Sequence, residues 1–361
     1  MMEKRKRYYV NGAGIISPQL TFDDNSFLES VQEYNTNALT CITPDFKAYI
    51  NPIQLRRLNR MLRIGLSAAT ICIQNSRLQK IDGVIVGTGY GFLIDTAKFL
   101  EEVLSQNEKH VAPTHFMQST YNSLAGLVAL SIKCMGYNNT HVSKGFAFES
   151  ALQDAMMQVN EDDALNFIVG AFDESDPVQY VINSRKHHFK KESISSLALF
   201  ESETVGTIQG EGAAFFSLSA KPTESSLCRL IDLRMIFKPE SETELKDSLD
   251  QLLLENGISI SDVDIIISGA SGDVMNDKLI TSFCNSLNSI AQLRFKHLCG
   301  EYCTASSFAF WLASSILKKQ TIPESVKKND FETPSVIQRV LIVNQYMGRN
   351  YTMILLESLV A

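Results

Sequence analysis

Residues Asp82-Gly83-Val84-Ile85-Val86-Gly87-Thr88-Gly89 and Asp264-Ile265-Ile266-Ile267-Ser268-Gly269-Ala270-Ser271-Gly272 follow one pattern: an acidic residue, a β-branched run, then a glycine turn. Such runs lack polar alternation and suit strands buried on both faces. A helical stretch precedes and follows each of them. Further along, the apolar segment 164–171 (Ala-Leu-Asn-Phe-Ile-Val-Gly-Ala) is answered by 212–219 (Gly-Ala-Ala-Phe-Phe-Ser-Leu-Ser), and 339–344 by 351–356. A long apolar helical pattern precedes each closing pair, at 148–159 and 305–318. Strand, helix, strand, helix and a closing strand pair, occurring twice, predict an α/β duplication. Lys221-Pro222-Thr223-Glu224-Ser225-Ser226 is polar and turn-rich, which places the join there and divides the chain into halves 1–220 and 221–361.

The chain has 361 residues, 45% hydrophobic and 20% charged, too many for one small core and suited to two domains or one large duplicated one. Its formal net charge of -7 gives no reason to expect a nucleic-acid partner. No run of about 18 apolar residues occurs, so no membrane span is expected. The basic run Lys4, Arg5, Lys6 and Arg7 leads into a strand-like segment, 8–16, and not into a long apolar one. A secretory signal is therefore not expected, and the compartment is read as reducing cytoplasm. Cys41, Cys72, Cys134, Cys228, Cys284, Cys299 and Cys303 are scattered and odd in number, unlike a disulfide framework. Cys299 and Cys303 have no second pair nearby, so neither a metal site nor a cofactor is expected.

Two other segments are distinctive. The pattern predicts an amphipathic helix over 55–69, with Leu55, Leu58, Leu62 and Leu66 on its core face and Arg56, Arg57, Arg60 and Arg63 elsewhere. Segment 173–203 is polar and contains Arg185, Lys186, His187, His188, Lys190 and Lys191. It reads as a solvated face, or as a surface for an anionic partner.

Tyr9-Val10-Asn11-Gly12-Ala13-Gly14-Ile15-Ile16-Ser17-Pro18, the segment 116–129 and Gln209-Gly210-Glu211-Gly212-Ala213-Ala214 resemble, in order, three motifs of the β-ketoacyl synthases. With the duplication, that resemblance covers nearly the whole chain. It implies the thiolase-like fold: duplicated βαβαβ halves in five layers, α-β-α-β-α. It also implies a dimer interface within 113–134, across which Phe116, Tyr121, Leu124, Leu127 and Val128 would be covered by a partner chain. Decarboxylative condensation in this family uses a cysteine thiolate at a helix N-terminus. Two histidines assist decarboxylation and stabilise the oxyanions.

Those residues are missing. Aligned on 151–155, the nucleophile position falls on Gly145. The first histidine position falls at Gly269, and the second, after Lys296, at Glu301. The family's gating loop is replaced by Gln345-Tyr346-Met347-Gly348-Arg349-Asn350. The resemblance therefore implies a non-catalytic subunit, inactive alone, like the chain-length factors that pair with an active ketosynthase and meet an acyl carrier protein in fatty-acid- or polyketide-type elongation. Residues 144–150 are similar to such subunits in bacterial aryl-polyene and flexirubin-type pathways. By itself such a chain would form a homodimer. Two other readings stay open. One is a divergent acyltransferase using Ser143, with His141 or His297 as base, or Cys299 beside Glu301. The other is a homodimeric protein that binds acyl chains or acyl carrier protein. Glu149 and Lys144 are given no catalytic role, and are read as pairing with each other or with a partner chain.

Overall fold

Val84 and Val86 point to one side of their strand and Ile85 to the other, and all three are fully buried. A strand can do this only between two apolar layers. The computed structural model describes residues 7–23, 27–109, 111, 113–328 and 334–360. Lys4, Arg5 and Lys6 of the basic N-terminal run lie outside the described residues.

The first half runs β1 (Tyr8–Ile16), α1 (Pro52–Leu55), α2 (Arg60–Ser76), β2 (Gly83–Thr88), α3 (Leu93–Ser105), α4 (Pro113–Ser119), α5 (Ser123–Ser131), β3 (Tyr137–Val142), α6 (Ala147–Glu161), β4 (Asn166–Asp173), α7 (Pro177–Arg185) and β5 (Gly212–Ser219). The second runs β6 (Cys228–Phe237), α8 (Glu242–Asn256), β7 (Ile265–Gly269), α9 (Lys278–Ser286), β8 (Ala291–Arg294), α10 (Lys296–Cys299), α11 (Ser306–Lys319), β9 (Arg339–Tyr346) and β10 (Asn350–Glu357).

The strand order is β3-β2-β4-β5-β1-β6-β10-β9-β7-β8. Numbered within its own half, each group of five has the same order, 3-2-4-5-1. The directions also repeat. β2 is parallel to β3 and β4, as β7 is to β8 and β9, and the closing pairs β4–β5 and β9–β10 are antiparallel. The two quoted β-branched runs thus occupy equivalent strands. A short antiparallel pairing of β1 with β6 joins the groups.

Three apolar cores give the layers. Ile85, Phe167 and Phe216 of the first group of strands face Ile267, Ile342 and Ile354 of the second across α6 and α11, in one central core. Val84, Val86 and Phe215 face outward onto α2 and α5. Ile266, Leu341 and Met353 face outward onto α8 and α9. This is the five-layer α-β-α-β-α arrangement. Gly14 shows why β1 is glycine-rich: a Cβ there would lie 2.2 Å from the Ala68 carbonyl oxygen, so only glycine lets α2 approach this closely.

Two sequence expectations change. The helix expected over 55–69 starts only at Arg60, because the Asn59 side chain accepts a hydrogen bond from Leu62 N and caps it. Leu55 and Leu58 precede that cap and are only half-buried. The basic run is not uniformly solvated either. Lys190 is buried, and its Nζ donates to the Thr204 carbonyl and hydroxyl and to the Gly272 carbonyl.

Candidate functional site

β2, β4, β7 and β9 run the same way within their halves, and their C-terminal ends are where a side chain can leave the sheet without breaking the ladder. Beyond these ends lies the start of the central helix α6. Ser143 accepts a hydrogen bond from Phe146 N in the turn before it, and Lys144 there has φ 51°. A left-handed non-glycine residue in a strand-to-helix turn is a strained feature of the kind concentrated at functional sites. Gly145 follows it and is buried.

Three consecutive residues at the end of β9 meet the three positions singled out in the sequence. A Cβ on Gly145 would lie 2.7 Å from Cβ and Cδ1 of Tyr346. Gly269 is registered opposite Asn344, and a Cβ on it would lie 2.1 Å from Asn344 Oδ1 and 2.7 Å from Asn344 Cα. Glu301 Oε2 pairs with Lys296 Nζ at 2.7 Å, and the same ammonium donates to the Gln345 carbonyl at 2.6 Å. Gly145, Gly269 and Glu301 are therefore brought together around 344–346. Burial pushes Glu301 up to about 7, with Lys296 offsetting only part of the effect. Its Oε1 has no hydrogen-bond partner.

Around this centre lies a cavity of about 30 Å³, lined among others by Tyr90, Asp173, Glu301, Cys303 and Tyr346. A water needs roughly 10–15 Å³, so there is room for two or three waters and none for an acyl chain. The Tyr346 hydroxyl lies toward both Tyr90 and the Cys303 thiol, and burial holds that thiol well above its ordinary range. Asp173 ties the halves together. It accepts from Gly89 N and the Thr88 hydroxyl on one side, and from Thr304 N and hydroxyl on the other. Burial raises it to about 6.

The histidines considered as bases for Ser143 are engaged elsewhere. His141 Nε2 lies 2.9 Å from Asp154 Oδ2 and 3.3 Å from Asn139 Nδ2. His297 Nε2 lies 2.8 Å from the Ser325 carbonyl, and burial lowers that imidazole to about 4. Neither ring is hydrogen-bonded to Ser143. Cys299 is fully buried in the central core, its thiol donating to the Gly300 carbonyl at 3.3 Å, and burial pushes its pKa well up. Lys144 and Glu149 do not pair. Lys144 lies over the Tyr90 ring, 5.9 Å from its centroid, whereas Glu149 is fully buried beside the Ser306 and Thr352 hydroxyls. Among the described residues no group of three or more His, Cys, Asp or Glu is arranged to hold a metal, and no helix is long and apolar enough to cross a membrane.

The sequence reading overlooked Tyr346 and Asn344 as the neighbours that fill the space beside Gly145 and Gly269. It also missed the function of Glu211 in its glycine turn. That carboxylate is buried and takes a two-pronged bond from Arg60 plus the Cys41 and Ser175 amides. The only hint was an acidic residue flanked by glycines beside an apolar strand.

The expected interface segment divides. Leu124 and Val128 are buried within their own chain and Leu127 partly so, while Phe116, Met117, Tyr121 and Leu130 are exposed. Beside them, β3 is an outer strand of the sheet, and among the described residues its only strand partner is β2.

A family model described as β-ketoacyl synthase, N-terminal domain, matches residues 33–214, half of the chain. A sequence search of the curated proteins finds no match. Among solved structures, the ishigamide ketosynthase/chain length factor superposes with a TM-score of 0.80 at 15% identity, covering 98% of this chain and 100% of that one. A β-ketoacyl synthase from Burkholderia phymatum STM815 gives 0.73 at 13% identity with the same coverage. A chain of AntDE:AntF, a type II polyketide acyl-carrier protein in complex with its ketosynthase bound to a hexaketide, gives 0.68 at 18%, again over 98% and 100%. At these identities the likeness is one of fold, the thiolase-like ketosynthase architecture.

Proposed function

The chain belongs to the β-ketoacyl synthase family, and within it we propose that it is a non-catalytic, chain-length-factor-like subunit that pairs with an active ketosynthase. One observation carries this reading: the turn opening α6 holds no thiol, since neither the strained Lys144 nor the adjacent Gly145 is cysteine. On this reading no acyl-enzyme forms, and Glu301, paired with Lys296, stands in for the second imidazole of the family. The acyltransferase alternative lacks a nucleophile–base pair. An acyl-binding role for the chain alone finds only about 30 Å³ at the centre, the hollows of about 430 Å³ beside Phe27 and about 610 Å³ beside Tyr121 lying away from it and open to solvent.

The remaining parts of the proposal are carried over from the family resemblance. The partner is a cysteine-bearing ketosynthase, the carrier of substrate is an acyl carrier protein, and the compartment is the bacterial cytoplasm. The setting is chain elongation of the fatty-acid or polyketide type, with aryl-polyene or flexirubin-type pigments as the specific case. The working halves are 1–220 and 221–361, and in the absence of the partner the chain forms a homodimer.

The test is co-expression with a cysteine-bearing ketosynthase from the same organism, followed by purification through a tag on this chain and assay with labelled malonyl- and acyl-carrier protein. Co-purification, with turnover only in the complex, is the expected result. Condensation by this chain alone would overturn the proposal.

A further inference from the structure

The centre is more than stripped of its chemistry; it is refilled. Tyr346 and Asn344 stand two residues apart on β9, so they project to the same face. They lie against Gly145 and Gly269 respectively. The Tyr346 ring enters the cavity between Tyr90 and Cys303, and about 30 Å³ is left. Of the two Tyr346 atoms that would lie 2.7 Å from a Cβ on Gly145, the ring Cδ1 can move and the Cβ cannot. That atom is rooted to the backbone, so no rotamer change can relieve the clash.

We propose that Tyr346 is a plug: it occupies the space in which an acyl group would lie beside the start of α6, and it, together with the missing thiol, closes this protomer's centre to substrate. Any acyl chain handled by an assembly containing this subunit is then held in the partner's centre. Gly145 is required by the plug, and the two positions are coupled. The pair at Gly269 differs in kind. There the backbone itself approaches, Asn344 Cα lying 2.7 Å from a Cβ on Gly269, so trimming the Asn344 side chain does not make room.

This inference rests on the reading of the centre as non-catalytic. It is tested on the chain alone, so its failure is separate from failure to pair with a ketosynthase. The first measurement is a thermal-melt cycle. Gly145→Ala should lower Tm by roughly 5 °C through overpacking. The same change in a Tyr346→Gly background should cost less than half as much, whereas a Tyr346→Ala background, which keeps the Cβ at 2.7 Å, should give only part of that relief. Gly269→Ala should cost the same with Asn344 or with Asn344→Gly. The second measurement is intact-mass labelling with a short-chain alkyl iodoacetamide, counted against the unmodified protein's own cysteines. Gly145→Cys/Tyr346→Gly should gain one adduct at least ten-fold faster than Gly145→Cys. If Gly145→Cys does not fold, the alanine cycle decides. Equal costs of Gly145→Ala in the Tyr346 and Tyr346→Gly backgrounds, or equal labelling of the two cysteine variants, would overturn the proposal.

Discussion

Lys296 is buried to its ammonium, which is held by Glu301 and the Gln345 carbonyl. Removing one member of such a pair leaves an uncompensated charge in the core, which typically costs about 3–5 kcal/mol, whereas replacing both is often neutral. Lys296→Met should therefore lose stability of that order at pH 8 in urea denaturation, and Lys296→Met/Glu301→Gln should regain most of it. Glu149 is a different case, a buried carboxyl with no cation in contact. Its burial raises it to about 7 from 4.5, and the Ser306 and Thr352 hydroxyls and the more distant Lys296 offset only part of that. Between those two pH values the native state binds more protons than the unfolded chain, so this group's stability is present below about 4.5 and lost as pH rises through about 7. Glu149→Gln should thus stabilise the protein at pH 8 by roughly 2–3 kcal/mol and change little near pH 5. No difference between the two pH values in chemical denaturation would show that Glu149 is not a buried acid. His297 works in the opposite sense: lowered to about 4 from 6.5, it withdraws stability as pH falls through that range.

At the scale of elements, the exposed edge of β3 and the exposed side of α4 and α5 belong together. An unpaired strand edge next to Phe116, Tyr121 and Leu130, the last 72% exposed, is a surface soluble chains normally cover. Buried by a second copy or a near-identical partner, it would form an interface of about 2,000 Å² or more. Leu130→Arg should leave the fold within roughly 0.5 kcal/mol of the parent while shifting a dimer toward monomer in sedimentation velocity. Leu124→Arg should instead unfold the chain, because Leu124 lies fully buried against Gly65. A monomeric parent at micromolar concentration would show that this face is not an interface.

Across the whole molecule, the halves share one core. Phe310 of α11 stacks edge-on with Phe216 at 4.6 Å and Phe148 at 5.6 Å, joining elements from both sides of residue 220. Asp173 clasps the same junction. A fragment ending at 220 would expose all of that apolar surface to water and should show no cooperative thermal transition by circular dichroism. A fragment that melts cooperatively would mean the halves are independent domains.

The duplication, the strands with apolar residues on both faces and the two central helices were all legible in the sequence, because burial on two faces dictates composition residue by residue. The absence of a cysteine before α6 was equally legible, since a nucleophile is a matter of residue identity. Side-chain partnership across the fold was not. That Tyr346 lies on Gly145, that Asn344 registers with Gly269 and that Lys296 shares its ammonium between Glu301 and β9 depend on how three strand ends and two helix starts converge, and those residues are far apart in the chain. The same holds for 113–134, where spacing marked an apolar segment but only packing against α2 decided that Leu124 turns inward and Leu130 out. Local sequence sets which residues must leave water; the tertiary structure decides which of them meet.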